Sequence, residues 1–235
     1  MPAGHVLELW RWPVKSMAGE RLERLRLEGH GVAGDRAHAV LREHKDRIVP
    51  LTAREAPRLL AWHACYPPTA NGRLPEAQLI APDARRFDWD DPGLAAALAD
   101  DLGRPIRLRR DLDGIQDLPN SVLVTFEATR AALAAELGAE IDLRRFRPNL
   151  HLAFDAPAWA EAAWEGRKLR FGGGLELELL HPCVRCAIPT RDPDTQAKWA
   201  ELLRHLAARH RTQFGINARV LAPASLIAGA PAELA

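Results

Sequence analysis

The sequence predicts an α+β protein that is mainly β: a β-barrel-like unit preceded by a smaller β-rich domain. Three observations predict it. Short runs of alternating apolar and polar residues are separated by Gly and Pro turns. Only three stretches carry helical spacing. A polar break over residues 111–119 contains Asp113-Gly114, and a fresh apolar run follows it.

The elements follow in chain order. Residues 6–12 alternate loosely and stop at Pro13; residues 22–28 alternate well and meet Gly29-His30-Gly31. Residues 37–41 and 59–65 read as further strands. A helix is predicted over 94–102, after Asp91-Pro92 and before Gly103, and a strand over 106–109. The polar break divides the chain into domains 1–112 and 113–235. In the second, residues 122–126 form a strand, and 127–137 form a helix closed by Gly138. Strands are predicted over 149–154 and 175–180. A helix is predicted over 196–210, with Trp199, Leu202, Leu203 and Leu206 on one face. Strands over 216–221 and 225–227 follow, and Trp159, Trp164 and Trp199 are assigned to core or barrel-edge packing.

Composition narrows the function classes. The chain has 235 residues, 47% hydrophobic and 27% charged, which suits an ordinary globular protein with a sizeable core. A net charge of +1 gives no reason to expect nucleic acid. Arginine far outnumbers lysine, which reads as coding bias. No run reaches the 18–20 apolar residues of a membrane helix, so no membrane partner is expected. The first residues lack the basic start and apolar run of a signal peptide, and three cysteines make no disulfide framework. A reducing cytoplasm is the expected compartment.

Chemistry concentrates in three places. Cys183-Val184-Arg185-Cys186 follows a strand-like stretch and precedes Asp192-Pro193-Asp194-Thr195. A thiolate beside a fixed positive charge serves as a soft metal ligand or a nucleophile. The pair is also half of a structural zinc site, but His181, His205 and His210 match no zinc spacing with it and Cys65 is distant. A redox dithiol is disfavoured by Pro189, and two small buried hydrophobes would be the bland alternative. Second, Arg144, Arg145 and Arg147 crowd ahead of Asn149. Such a cluster binds phosphate or forms a solvated turn. Third, Lys15 and Ser16 sit in the turn after the first strand, near the glycines of Gly31-Val32-Ala33-Gly34-Asp35-Arg36. That arrangement faces an anion or closes a hairpin, and its spacing is not a P-loop.

In order, these motifs resemble one family. They are Pro13-Val14-Lys15-Ser16, Gly34-Asp35-Arg36, Leu51-Thr52-Ala53-Arg54-Glu55-Ala56-Pro57, Phe146-Arg147-Pro148-Asn149, Cys183-Val184-Arg185-Cys186, Asp192-Pro193-Asp194-Thr195 and Phe214-Gly215. Together they resemble proteins with an N-terminal MOSC β-barrel domain followed by a MOSC domain. The amidoxime-reducing components and the C-terminal part of molybdenum cofactor sulfurase belong to that family. The resemblance implies molybdenum-molybdopterin (Moco) as cofactor, with Cys186 as metal ligand and catalytic residue. It implies cofactor contacts from Lys15, Ser16, Arg36, Arg147 and Asn149, with Arg185 holding Cys186 ionised and no ligand role for Cys183. Three positions depart from the family pattern. Val184 stands where a serine is common, Gln196 stands where a glycine closes the turn, and a Thr-Ser contact falls near Pro119-Asn120-Ser121.

The implied activity is reduction of small N-hydroxylated substrates, such as amidoximes and hydroxylated nucleobases, with electrons from a separate electron-transfer protein. The alternatives are a sulfur carrier or sulfurtransferase using a Cys186 persulfide, and a non-catalytic cofactor-binding or zinc-stabilised protein. No ferredoxin-like cysteine cluster, membrane anchor or pyridoxal phosphate-binding desulfurase segment is expected in the chain, although pyridoxal phosphate is linked with the wider family.

Overall fold

A computed structural model describes residues 3–68, 74–111 and 122–235. Among them, seven strands close into a barrel. Their order is Leu150–Phe154, Val122–Phe126, Gln213–Ala222, Glu176–Val184, Lys168–Phe171, Pro231–Leu234 and Ala3–Arg11, and the last pairs back to the first. The closing pairs are antiparallel: Val6 lies opposite Leu152, and Ala3 opposite Glu233. Val122–Phe126 and Leu150–Phe154 run parallel. A parallel pair needs a crossover, which the helix Glu127–Leu137 supplies. Inward residues from every wall, including Leu9, Val124, Leu152, Leu169, Leu177 and Ile216, fill the interior.

Beside the barrel, two three-stranded sheets and the helix Leu94–Leu102 pack around Trp62, Leu79 and Leu98. One sheet joins Arg107–Arg110, His38–His44 and Arg47–Pro50; the other joins His63–Cys65, Gln78–Ile80 and Arg86–Asp88. A boundary at residue 112 lies outside the described residues. The strands show how the two halves share structure: Glu20–Leu22 extends the barrel sheet at Ala3–Arg11, and Arg24–Glu28 pairs with Ala224–Ile227.

The mainly β α+β architecture agrees with the sequence reading, with local differences. Alternation over residues 22–28 predicts one strand, but the chain bends at Glu23 and splits it between two sheets. Residues 59–65 divide between the 3₁₀ turn Pro57–Ala61, which Pro57 opens with its fixed φ, and the short strand His63–Cys65. The strand predicted over 175–180 extends to Val184, and the last predicted helix contracts to Ala200–Arg209. The other two helices end at a left-handed glycine, Gly103 at φ 64° and Gly138 at φ 61°.

Gly215 meets a tighter demand. It takes φ +75°, and a Cβ there would sit 2.6 Å from the carbonyl oxygen of Val124 on the neighbouring strand. Gly215→Ala is therefore expected to destabilise the fold by about 2 kcal/mol, combining left-handed strain with overpacking. Urea unfolding measures it, and a change below about 0.5 kcal/mol would contradict the close approach.

Two buried histidines set the acid response. Burial is the main cause that lowers the His38 pKa from 6.5 to about 4; the nearby Arg110 charge adds to it, and the Pro13 carbonyl contact opposes it. Burial also lowers the pKa of His151, against the opposing bond to Glu127. The unfolded chain therefore takes up protons at a pH where the folded chain does not. His38 stabilises the fold fully above pH 6.5, and this is lost as pH falls to about 4. The share of His38 is on the order of 3 kcal/mol. Glu127 is held near 2, chiefly by Arg130, so its contribution is lost only between pH 4.5 and 2. Unfolding free energy measured from pH 6.5 to 4.5 should fall, and His38→Gln should flatten that slope. An unchanged slope would remove His38 as its source.

Candidate functional site

Several segments converge on a cavity of about 250 Å³ beside the barrel. Lys15 and Ser16 come from the turn after the first strand, and Arg36 from the segment that follows Gly34-Asp35. Phe146 and Arg147 come from the end of the 3₁₀ turn Leu143–Arg145. Cys183, Val184, Arg185 and Cys186 come from the end of the strand Glu176–Val184 and the connection after it. The structure thus brings together Lys15, Ser16, Arg36, Arg147, Arg185 and Cys186 around one space.

Backbone geometry there is unusual. Ser16, Arg36 and Arg147 adopt left-handed conformations, with φ 70°, 48° and 54°. Each costs on the order of 1 kcal/mol or more, and such strain gathers where side chains must point at a ligand. A web of contacts holds these residues. Arg36 Nη2 donates to the Arg147 carbonyl at 3.0 Å, and its Nη1 pairs with buried Asp35. Asp35 Oδ1 accepts from the Trp12 backbone N–H at 2.7 Å. Arg147 Nη1 donates to the Met17 carbonyl, and its guanidinium lies 4.3 Å from the Trp12 ring centroid. Phe146 stacks on Phe214 with centroids 3.8 Å apart, which explains the Phe214-Gly215 motif as packing behind the site.

The remaining residues of the motifs have other partners. Asn149 is fully buried behind the cavity: its Oδ1 accepts from the Leu123 backbone N–H at 3.1 Å and its Nδ2 donates to the Trp10 carbonyl at 3.3 Å. It ties strands together and does not line the space. Arg144 is clamped by Asp142 and Asp194, each at 2.7 Å, and Arg145 by Asp192 at 2.7 Å. The Thr195 backbone N–H is the main cause holding the Asp192 carboxyl below the usual range. Of the three clustered arginines, Arg147 alone lines the cavity among the described residues. Gln196 takes the left-handed φ of 58° that a glycine would supply, and its side chain donates to the Asp194 carbonyl at 2.7 Å. The turn keeps a left-handed residue without the glycine.

Arg185 corrects one expectation. Its Nη1 lies 2.9 Å from the sulfur of Cys183, not Cys186, and its Nη2 donates to the Phe146 carbonyl at 2.7 Å. Both cysteines are free and half-buried. Val184 also lines the cavity and is 66% exposed, so an apolar rim replaces the hydroxyl of a serine. The expected contact near Pro119-Asn120-Ser121 lies outside the described residues. Thr52, Arg54 and Asn217 also line the space, although sequence reasoning assigned them no role. The first two lie in the Leu51-Thr52-Ala53-Arg54 motif, which was the signal available for them.

The donor set tests which ligand fits. Five cations, Lys15, Arg36, Arg54, Arg147 and Arg185, line the cavity with two thiols, and no carboxylate lines it among the described residues. Buried Thr52 Oγ1 and Arg185 Nε find no hydrogen-bond partner among the described residues. Buried polar atoms normally have partners, so these are positioned for a ligand. A second cavity of about 400 Å³ adjoins, shares Arg147 and Ile188, and presents Trp10 and Trp12 stacked 5.4 Å apart. Together the two have the volume of a cofactor-sized pocket. Soft sulfur with surrounding cations suits a polyanionic cofactor that carries phosphate and a sulfur-bound metal. The residues present fit Moco.

A seven-stranded barrel closed by the first strand, with this cation-lined, cysteine-bearing cavity at its side, defines a MOSC-domain protein. Residues 118–233 match the MOSC domain and residues 3–85 the MOSC N-terminal beta barrel domain, and the chain belongs to the family that joins the two. It is similar to mitochondrial amidoxime reducing component 2 of Bos taurus, 22% identical over 82% of this chain and 68% of that protein. The fold is similar to the crystal structure of the YUAD protein from Bacillus subtilis, with TM-score 0.50 and 12% identity over 100% of this chain and 97% of that one. No described helix is long and apolar enough to cross a membrane.

Proposed function

We propose that this protein binds Moco and reduces small N-hydroxylated substrates, such as amidoximes or hydroxylated nucleobases, with electrons from a separate electron-transfer protein. The observation that carries the reading is the cavity lined, among the described residues, by five cations and two thiols with no carboxylate. Similarity to an amidoxime reducing component supports the substrate class. When bound, the cofactor supplies a metal that accepts oxygen and cycles between oxidation states.

The chain's own residues bind and orient. Lys15, Ser16 and Arg36 form one wall and would hold the phosphate through charge-assisted hydrogen bonds. Arg147, fixed over Trp12, would hold the pterin side. Cys186, just past the strand end, would be the protein ligand to the metal. Arg185 donates to the Cys183 sulfur and to the Phe146 carbonyl, which anchors the loop. Val184 gives the cavity an exposed apolar edge where a serine would offer a hydroxyl.

Protein purified from a host that makes Moco should contain near-stoichiometric molybdenum and pterin, and should reduce benzamidoxime with an artificial donor. A molybdenum-free protein from a host whose other molybdoenzymes are loaded would overturn the reading. A mass gain of about 32 Da on Cys186 after incubation with a desulfurase, without molybdenum, would establish sulfur transfer instead.

A further inference from the structure

Three potential metal-ligating side chains meet between two helices. Glu136 lies near the end of the helix Glu127–Leu137, His205 lies in the helix Ala200–Arg209, and His210 caps the latter. His205 Nε2 is 2.6 Å and His210 Nε2 2.7 Å from the same oxygen, Oε2 of Glu136. All three ligand atoms lie within 4.8 Å of one another.

The chain reaches this convergence by breaking a rule of helix geometry. Residues five apart on a continuous α-helix point about 140° away from each other. His210 leaves the helix at φ −132°, ψ 26°, which turns its ring back to the face that carries His205. Trp159 then stacks flat on that ring, with centroids 3.6 Å apart and planes 12° apart. Trp159 itself holds a left-handed φ of 67°, with its backbone N–H bonded to Thr129 Oγ1 at 2.9 Å. A stacked, backbone-strained support for one imidazole is more than a surface ion pair needs.

We propose that Glu136, His205 and His210 form a binding site for a divalent late first-row transition metal, with zinc the best fit. Two imidazole nitrogens and one carboxylate oxygen form a three-ligand set known for zinc, with a fourth position open to water or a small anion. Tetrahedral zinc with bonds of 2.0–2.1 Å keeps its ligand atoms about 3.3 Å apart. The rings therefore need to move about 0.6 Å outward from the carboxylate, replacing two N–H···O bonds with metal bonds. Side-chain exposures of 15–27% leave room for that shift and a path for the ion. The site is separate from the cysteine cavity and shares no residue with it.

Titration of the full chain with Co²⁺, read by visible absorption, and with Zn²⁺, read by calorimetry, tests the proposal. One ion per chain should bind with nitrogen–oxygen cobalt bands and no thiolate-to-metal band. Affinity should drop at least about tenfold in both Glu136→Gln and His205→Asn, the minimum expected even for an outer partner of a metal site. Glu136→Gln keeps an oxygen acceptor for both imidazoles, so its circular dichroism should match the parent. Absence of saturable binding, a thiolate band, or affinity unchanged in folded Glu136→Gln would each overturn the assignment.

Discussion

Cys186→Ser is expected to abolish molybdenum retention and reduce turnover to background while the barrel stays folded. The residue lies beyond the last barrel pairing of its strand, Val184 opposite Gln213, so its sulfur carries no part of the sheet. It is half-buried and lines the cavity, and serine puts a weakly acidic hydroxyl where a thiolate would ligate the metal. Cys183→Ser should cost far less, roughly tenfold in retention, because serine can still accept from Arg185 Nη1. Metal content, pterin fluorescence and circular dichroism on the two variants decide the matter. Equal losses would mean that the ligand assignment to Cys186 is wrong.

Arg147→Ala is expected to act on cofactor and fold together. The guanidinium is buried, donates to the Met17 carbonyl and lies 4.3 Å from the Trp12 ring centroid; the Arg147 carbonyl accepts from Arg36. Truncation orphans a buried carbonyl and removes a cation–π contact, a loss of about 3 kcal/mol in unfolding free energy. It also removes one of five cavity cations, so cofactor content should fall as well. Arg147→Lys keeps the charge without the planar fork, and should retain part of the cofactor with an intermediate stability. Urea unfolding with molybdenum and pterin assays tests both arms. An Ala variant as stable and as loaded as the parent would remove Arg147 from the site.

The parts legible in the sequence were those governed by local rules. The two helices that end at Gly103 and Gly138 match their predicted bounds, because a left-handed glycine is a local stop. The lining of the cavity by Lys15, Arg36, Arg147 and Cys186 followed from ordered motifs. What stayed hidden depends on distant partners. The strand Pro231–Leu234 opens with a proline and is short, and only its place between Ala3–Arg11 and Lys168–Phe171 makes it a strand. Asn149 and Arg147 stand two residues apart in one motif, yet one ties strands and the other lines the cavity. The direction of a side chain is set by the surrounding fold, not by its motif. The pairing of Arg185 with Cys183 rather than Cys186 is hidden for the same reason.

The double pairing of the strand Ala3–Arg11 has a consequence for the protein's birth on the ribosome. That strand bonds to Leu150–Phe154 and to Pro231–Leu234, so it must wait for partners made far later. At synthesis rates of 5–20 residues per second, the wait for the second partner is roughly 10–45 s. During it, Val6 and Leu9, wholly buried in the finished barrel, have no barrel to enter and are natural clients for a chaperone. Lys15 and Cys186 are likewise translated far apart, so an anionic cofactor has no complete pocket to enter until both have been made. Loading would thereby wait for residue 186, and nascent chains stalled before it should capture none.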